Sequence, residues 1–367
     1  MTDYEKSVQR YRNAVEMRPV DKIPFSYNGP AFTARASGML MKDYITDFKG
    51  AADALVSVIS RLPGIDSSQV TVTAPRMLSG SWLSRILLPG EELGDDALWQ
   101  CQETEVVKYE DYQYILDHGF GEFREMILKE RLGDPLSRTT GLPEARKAAA
   151  ERLRGKGILH LNGGTVSAPF ERLCGGRSLM NFFIDLIEEP EYMKKIFDRS
   201  MECITQSHEK MLSSSEMFGC WIGGWRGAPE MISHDMWQEF VWPYMKELAL
   251  ITLRHGVVPI FHLDSNWDRE FETFLELPPR SCIIALDGRS DMRRARAVLD
   301  DRFCLMGDVP AALLAAGTAE EVYDYTHSLI DDVGPKTGLI VSSGCDIPDN
   351  AKFENVEAMC AAAAEFL

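Results

Sequence analysis

Four side chains able to ligate a metal stand at the ends of apolar runs in the second half of the chain. His262 and, two places on, Asp264 end the run Val257-Val258-Pro259-Ile260-Phe261. Asp287 ends Ser281-Cys282-Ile283-Ile284-Ala285-Leu286, and Cys345 follows Gly338-Leu339-Ile340-Val341-Ser342. Imidazole, carboxylate and thiolate are donors that zinc takes, and four of them would close a tetrahedral shell. In an extended segment His262 and Asp264 point to the same side. The same residues admit a second reading, with His262 and Asp264 as a hydrogen-bonded pair and Cys345 as a small buried thiol. Other polar residues also leave apolar runs. Tyr27, Asn28, Asn162 and Asp308 do so, although Asn162 and Asp308 read equally well as helix N-caps and Asn28 as part of the Gly29-Pro30 turn. Trp225 and Trp267 lie in loops beside Gly223-Gly224 and Asn266, where an indole could wall an apolar pocket. Trp237 and Trp242 fall in a helical pattern and read as packing.

The runs matter because of what separates them. From residue 156 on, a short apolar run is followed by a helical stretch six times, at 157–162, 217–222, 257–262, 281–287, 302–307 and 338–342. Near-continuous apolar strands alternating with helices predict a parallel sheet covered on both faces. Two further runs, Ile23-Pro24-Phe25-Ser26-Tyr27 and Gln69-Val70-Thr71-Val72-Thr73, bring the count to the eight of a (β/α)8 TIM barrel. No Gly-x-Gly-x-x-Gly follows the first strand, as an open dinucleotide-binding sheet would have. Residues 1–367 therefore read as a single α/β barrel domain, with 76–155 as inserted helices after the second strand. In such a barrel the active site forms at the carboxyl ends of the strands, where the polar residues above fall.

Composition bounds the partners. The 367 residues carry 39 Lys and Arg against 56 Asp and Glu, a net charge of −17. That balance disfavours nucleic acid, and the densest basic run, 146–156, is interrupted by Glu151. No stretch approaches the ~18 apolar residues of a membrane span. The polar start Met1-Thr2-Asp3-Tyr4-Glu5-Lys6 is no signal peptide, and eight scattered cysteines predict free thiols in a reducing cytoplasm.

Four sequence blocks, in order, make the chain resemble the uroporphyrinogen decarboxylase superfamily along essentially its whole length. They are Arg18-Pro19-Val20-Asp21-Lys22-Ile23-Pro24; Ala168-Pro169-Phe170-Glu171 with Gly175-Gly176; Met306-Gly307-Asp308-Val309-Pro310 with Gly317-Thr318-Ala319-Glu320-Glu321-Val322; and Gly344-Cys345-Asp346-Ile347-Pro348 with Glu354-Asn355-Val356. The resemblance implies a (β/α)8 barrel and, through the decarboxylases, a homodimer. It also implies two chemistries. The decarboxylases hold a polycarboxylate tetrapyrrole with an arginine-rich segment after the first strand. This chain has Phe25-Ser26-Tyr27-Asn28-Gly29-Pro30-Ala31-Phe32 there, with Arg35 the one arginine nearby. A substrate with eight carboxylates needs several guanidinium partners, and a charge of −17 opposes it.

The other branch, cobamide-dependent methyltransferases, holds zinc on a His-x-Cys pair and a distant Cys, with an acidic residue after the intervening strand. His262, Cys345 and Asp287 match, whereas Asp264 stands where the first Cys belongs. One thiolate in place of two makes a harder site, better suited to act as Lewis acid on a methoxy or amine group than to bind a thiol. The resemblance thus implies methyl transfer between a small methyl donor and a separate corrinoid protein, since the chain has no Asp-x-His-x-x-Gly cobalamin motif of its own. The candidate metal ligands are His262, Asp264, Asp287 and Cys345. The candidate catalytic groups are Tyr27, Asp287 and Asp308, and the candidate substrate contacts are Asn28, Asn162, Trp225, Asn266 and Trp267. The rival readings are a cofactor-free decarboxylase acting through Asp287 or Asp308, and a non-catalytic barrel that binds a corrinoid or tetrapyrrole.

Overall fold

Strands form at the apolar runs, with two instructive displacements. The computed structural model describes residues 1–214, 216–334 and 337–365. Its strands are β1 (Ser26–Tyr27), β2 (Ser67–Ser68), β3 (Arg85–Leu87), β4 (Gln100–Gln102), β5 (Leu159–His160), β6 (Asn162–Ser167), β7 (Gly219–Gly224), β8 (Val258–Leu263), β9 (Ile283–Leu286), β10 (Cys304–Val309) and β11 (Leu339–Ser343). β6 to β11 pair in chain order as one parallel sheet, while β1, β2 and β5 form another in the order β1-β2-β5. The sheets meet at both edges. β5 continues into β6 across Leu161, and Phe25 bridges in parallel to Val341 of β11. The parallel segments thus stand in the ring order of a (β/α)8 barrel, with β5 and β6 as two halves of its third strand.

The second strand lies at Ser67–Ser68, not at the more apolar 69–73. Here pairing outweighs periodicity. Ser67 and Ser68 take the register between Ser26–Tyr27 and Leu159–His160, and the Ser67 hydroxyl contacts Ser26 Oγ at 2.8 Å and Tyr11 Oη at 2.7 Å. The third strand runs on through Gly163-Gly164 to Ser167, where the sequence reads as a turn. A Cβ at Gly163 would sit 2.3 Å from Met217 Cβ, and one at Gly164 would sit 2.8 Å from Met211. The two glycines therefore admit side chains that pack on the strand, across a register shift between Asn162 and Gly164.

The ring has a floor and a lid. Tyr11, Ala14 and Val15 of the N-terminal helix Asp3–Val15 pack with Leu159, Ile260, Ile283 and Ile340, plugging the amino ends of the strands. At the other end, 76–155 supplies helices and also the antiparallel hairpin of β3 and β4, too short and polar to show in the sequence pattern. The last helix of this stretch, Leu142–Gly155, packs on Phe48–Ile59 as part of the barrel's outer layer. All eight cysteines are free, and among the described residues no helix is long and apolar enough to cross a membrane.

Candidate metal centre

Three donor residues from two strand ends meet at the carboxyl side of the ring. His262 is the penultimate residue of β8, Asp264 follows that strand, and Cys345 follows β11. Their ligand atoms all lie within 4.8 Å of one another, and no other group of His, Cys, Asp or Glu converges in this way among the described residues. His262 Nε2 stands 3.7 Å from Asp264 Oδ1, too far for a hydrogen bond. Asp264 Oδ1 is itself buried with no hydrogen-bond partner. A hydrogen-bonded His–Asp pair is therefore not what the chain builds. A tetrahedral ion with bonds of roughly 2.0–2.3 Å sets its donors about 3.3–3.8 Å apart. The His262–Asp264 spacing fits that edge, and a bare buried carboxylate oxygen, which costs ~1–3 kcal/mol or more when left unmade, would be satisfied by a cation. One nitrogen, one oxygen and one sulfur are donors that zinc takes, and an ion held by all three would keep a fourth position open.

Each donor is fixed by its neighbours. Trp221 of β7 stacks on His262 with centroids 4.5 Å apart and planes 10° from parallel. Burial pushes the His262 imidazole toward its neutral, ligating form, against the pull of Asp264 and Asp287. Asp264 is held by its backbone: its amide donates to Gly224 O at 3.1 Å, and its carbonyl accepts from Trp267 Nε1 at 2.7 Å. Cys345 is brought in by Gly344, whose added Cβ would lie 2.3 Å from Asp287 O. Burial, with the negative charges of Asp264 and Asp346, pushes the Cys345 thiol up, so that without a cation it stays protonated.

Asp287 stands beside this cluster instead of in it. Its Oδ2 accepts from Ser265 N at 2.6 Å and its Oδ1 from Arg289 N at 2.8 Å, so its carboxylate braces the loops after β8 and β9. Asn28 does reach the site: its side chain supports Asp346, and its Oδ1 is buried without a partner. Tyr27 lies beneath, with its hydroxyl given to Gly29 O at 2.9 Å and in contact with Thr33 Oγ1 at 2.7 Å.

The other expected residues stand outside the three-donor group. Asn162 opens β6 instead of ending a strand, and its Oδ1 accepts from Trp221 N at 3.0 Å. Asn266 spends both ends of its amide on Arg289 O and Asp268 N. Trp267 is fully buried against Trp237 and belongs to the core. Trp225 is half-buried, lies over Gly223 and meets Trp82 edge-on at 5.6 Å. Asp308 accepts from Tyr325 Oη at 2.9 Å, on the outer helix Ala319–Val333, and burial pushes its carboxyl up to about 6.

Three residues gain roles the sequence did not assign. Asp346 is exposed beside Cys345 and takes the Asn28 side chain as its partner, and the protein packed around it, with the charge of Asp264, pushes its carboxyl up. Its place beside Cys345 was the available signal. Gln69 donates to Ser342 Oγ at 2.9 Å and leaves Oε1 buried and unpartnered. Glu171 is buried and accepts from the amides of Trp225, Arg226 and Gly227 at 2.7 to 3.0 Å, holding the loop after β7. Arg35, the lone arginine near the first strand, is committed to Asp96 and Asp349 and is not free to clamp a polycarboxylate.

Comparison with known proteins agrees with this architecture. Residues 134–366 match the family described as Uroporphyrinogen decarboxylase (URO-D). No curated protein shows significant similarity to the chain. Among solved structures, a methyltransferase from Methanosarcina mazei superposes with a TM-score of 0.71, covering 98% of this chain and 98% of its own, at 16% identity.

Proposed function

The chain belongs to the uroporphyrinogen decarboxylase family, and from that premise we propose that it is a methyltransferase working with a corrinoid carried by a separate protein. In this reading His262, Asp264 and Cys345 hold a metal, zinc first, and the methyl donor is a small methoxylated compound or methylamine. The observation that carries the proposal is the convergence of those three donors around the unpartnered Asp264 Oδ1. The likeness to a methyltransferase of the same fold supports it. A decarboxylase of polycarboxylates would need guanidinium groups at the mouth, and Arg35 is already paired.

Bound there, the metal would polarise the heteroatom that carries the methyl group, while the partner's corrinoid supplies the nucleophile. The chain's own groups orient and restrain. Trp221 fixes the plane of the His262 ring, and Asp287 pins the loop that presents Asp264. Asn28 Oδ1, Gln69 Oε1 and the Trp221 indole N–H are buried polar atoms without partners, able to bind a polar donor molecule. Asp346, held by Asn28 beside Cys345, would be placed to hydrogen-bond the heteroatom that loses the methyl group.

Metal analysis of protein purified without chelators, followed by methyl transfer from methoxyarenes or methylamines to cob(I)alamin, tests the reading. About one zinc per chain, lost together with transfer in His262→Ala, is the expected result. Metal-free protein whose transfer survives His262→Ala, or release of carboxyl groups from uroporphyrinogen, would overturn it.

A further inference from the structure

The helix Leu179–Glu188 presents an apolar face to solvent. Met180, Ile184 and Ile187 lie on one side at helical spacing and are 71%, 43% and 68% exposed. Tyr109, 41% exposed, continues the patch: its phenol lies within electrostatic reach of Glu189 and Glu188, and its ring packs on Tyr192 at 6.1 Å. Of the eight large hydrophobic residues exposed on the described chain, four gather here. Scattered exposed hydrophobics need no explanation, but a contiguous stripe marks an interaction surface.

The helix is a firm platform. Its other face buries Phe182 against Phe170 at 4.9 Å and Phe197 at 6.1 Å, and its Asp185 takes Arg177 and Tyr112. It is also tied to the barrel mouth. Glu103 accepts from Leu179 N at 2.8 Å and pairs with Arg226 at 3.2 Å, and Arg226 lies in the loop after β7 that Glu171 clamps.

The rim selects the occupant. Glu110, Glu188, Glu189 and Glu191 are exposed around the stripe, with Glu103 and Glu105 already paired to Arg226 and Arg177, against the exposed bases Lys108 and Lys195. A second copy would bring this acidic rim onto itself, at a cost in like-charge contacts. We propose that Met180, Ile184, Ile187 and Tyr109 form the docking face for a protein that presents apolar side chains ringed by lysine and arginine, namely the corrinoid carrier. This assignment of the partner rests on the methyltransferase reading; the shape and charge of the face do not.

The wild-type protein and the triple variant Met180→Ser/Ile184→Ser/Ile187→Ser, matched by thermal melting, are titrated with a purified corrinoid carrier protein of the same organism at two salt concentrations. Sedimentation follows self-association. The wild type should bind the carrier, with the variant weaker by ~10-fold or more and both weakening as salt rises; any self-association should be the same in the two proteins. Glu188→Lys/Glu189→Lys, which leaves the stripe intact, should weaken binding and flatten the salt dependence. Transfer to free cob(I)alamin, which bypasses the face, should be unchanged in both variants. The docking proposal is overturned by equal carrier affinity in the triple variant, by no carrier binding to the wild type at ~100 µM, or by self-association that the variant abolishes. Failure of the wild type to methylate free cob(I)alamin counts instead against the methyltransferase reading, and the binding titration still decides the docking face.

Discussion

Trp221 lies flat against His262, with ring centroids 4.5 Å apart and planes within 10° of parallel. The two sit on neighbouring strands two residues out of direct register, since Trp221 pairs with Ile260 and His262 with Gly223. The place of a side chain at Gly223, between them, is taken by the ring of Trp225. The imidazole is thereby confined to a plane that turns Nε2 toward Asp264. Trp221→Ala removes that wall. We expect a loss of about 2 kcal/mol in stability and of ~10-fold in metal affinity, measured by chelator competition. Trp221→Phe should keep both near the wild-type values.

Glu171 controls the adjoining loop. It accepts four hydrogen bonds from the amides of Trp225, Arg226 and Gly227, the last of them buried. Glu171→Ala strands the buried Gly227 amide at about 1–3 kcal/mol and leaves the part-buried amides of Trp225 and Arg226 without their acceptor, so a loss of about 2–4 kcal/mol is expected in denaturant melts. Glu171→Gln retains one acceptor oxygen and should lose roughly half as much. Because Trp225 rides on this loop against Trp82, its fluorescence should report loosening in both variants.

Asp308 discriminates a structural carboxyl from a catalytic one. Burial raises it from 3.8 to about 6. The folded state thus binds its proton more tightly than the unfolded state does. The stability this group contributes is complete below about pH 4 and is lost as pH rises through 6. Asp308→Asn still accepts from Tyr325 and removes that loss. Relative to the wild type, the variant should gain about 1–3 kcal/mol at pH 8 compared with pH 4. Since its carboxyl faces the outer helix, methyl transfer should persist; loss of turnover in a folded Asp308→Asn protein would reverse this placement.

What was legible in the sequence follows from how each feature is encoded. The long strands, β7 to β11, are nearly continuous apolar runs, and their ends place His262, Asp264, Asp287 and Cys345 within a residue or two. Ring order puts all four on the carboxyl side, but which three converge depends on side-chain direction. β2 was misplaced because its serines are chosen for hydrogen bonds at a narrow seam, which leaves no hydrophobic period. Gly163-Gly164 looked like a turn because accommodating Met211 and Met217 calls for the same residue as a tight bend. Side-chain direction at a strand end is not written in spacing. Asp287 and Asp308 therefore looked equivalent to Asp264, while backbone amides claim the first and Tyr325 the second.

Asp264 is where chemistry and identity meet, and exchanging it for cysteine tests both. As it stands, the cluster offers one nitrogen, one carboxylate oxygen and one sulfur. Asp264→Cys supplies a second thiolate from the same backbone, which Gly224 and Trp267 fix independently of the side chain. Thiolates are softer donors, so zinc should bind more tightly, by ~10-fold or more in chelator competition. They also pass more charge to the metal and weaken it as a Lewis acid, so transfer from a methyl ether should fall by ~10-fold or more while thiol methylation appears or rises. Asp264→Asn, uncharged and of the same shape, should lower affinity by ~10–100-fold without that gain. Equal zinc affinity across all three proteins would mean that Asp264 is not a ligand, and its unpartnered oxygen would then need another occupant.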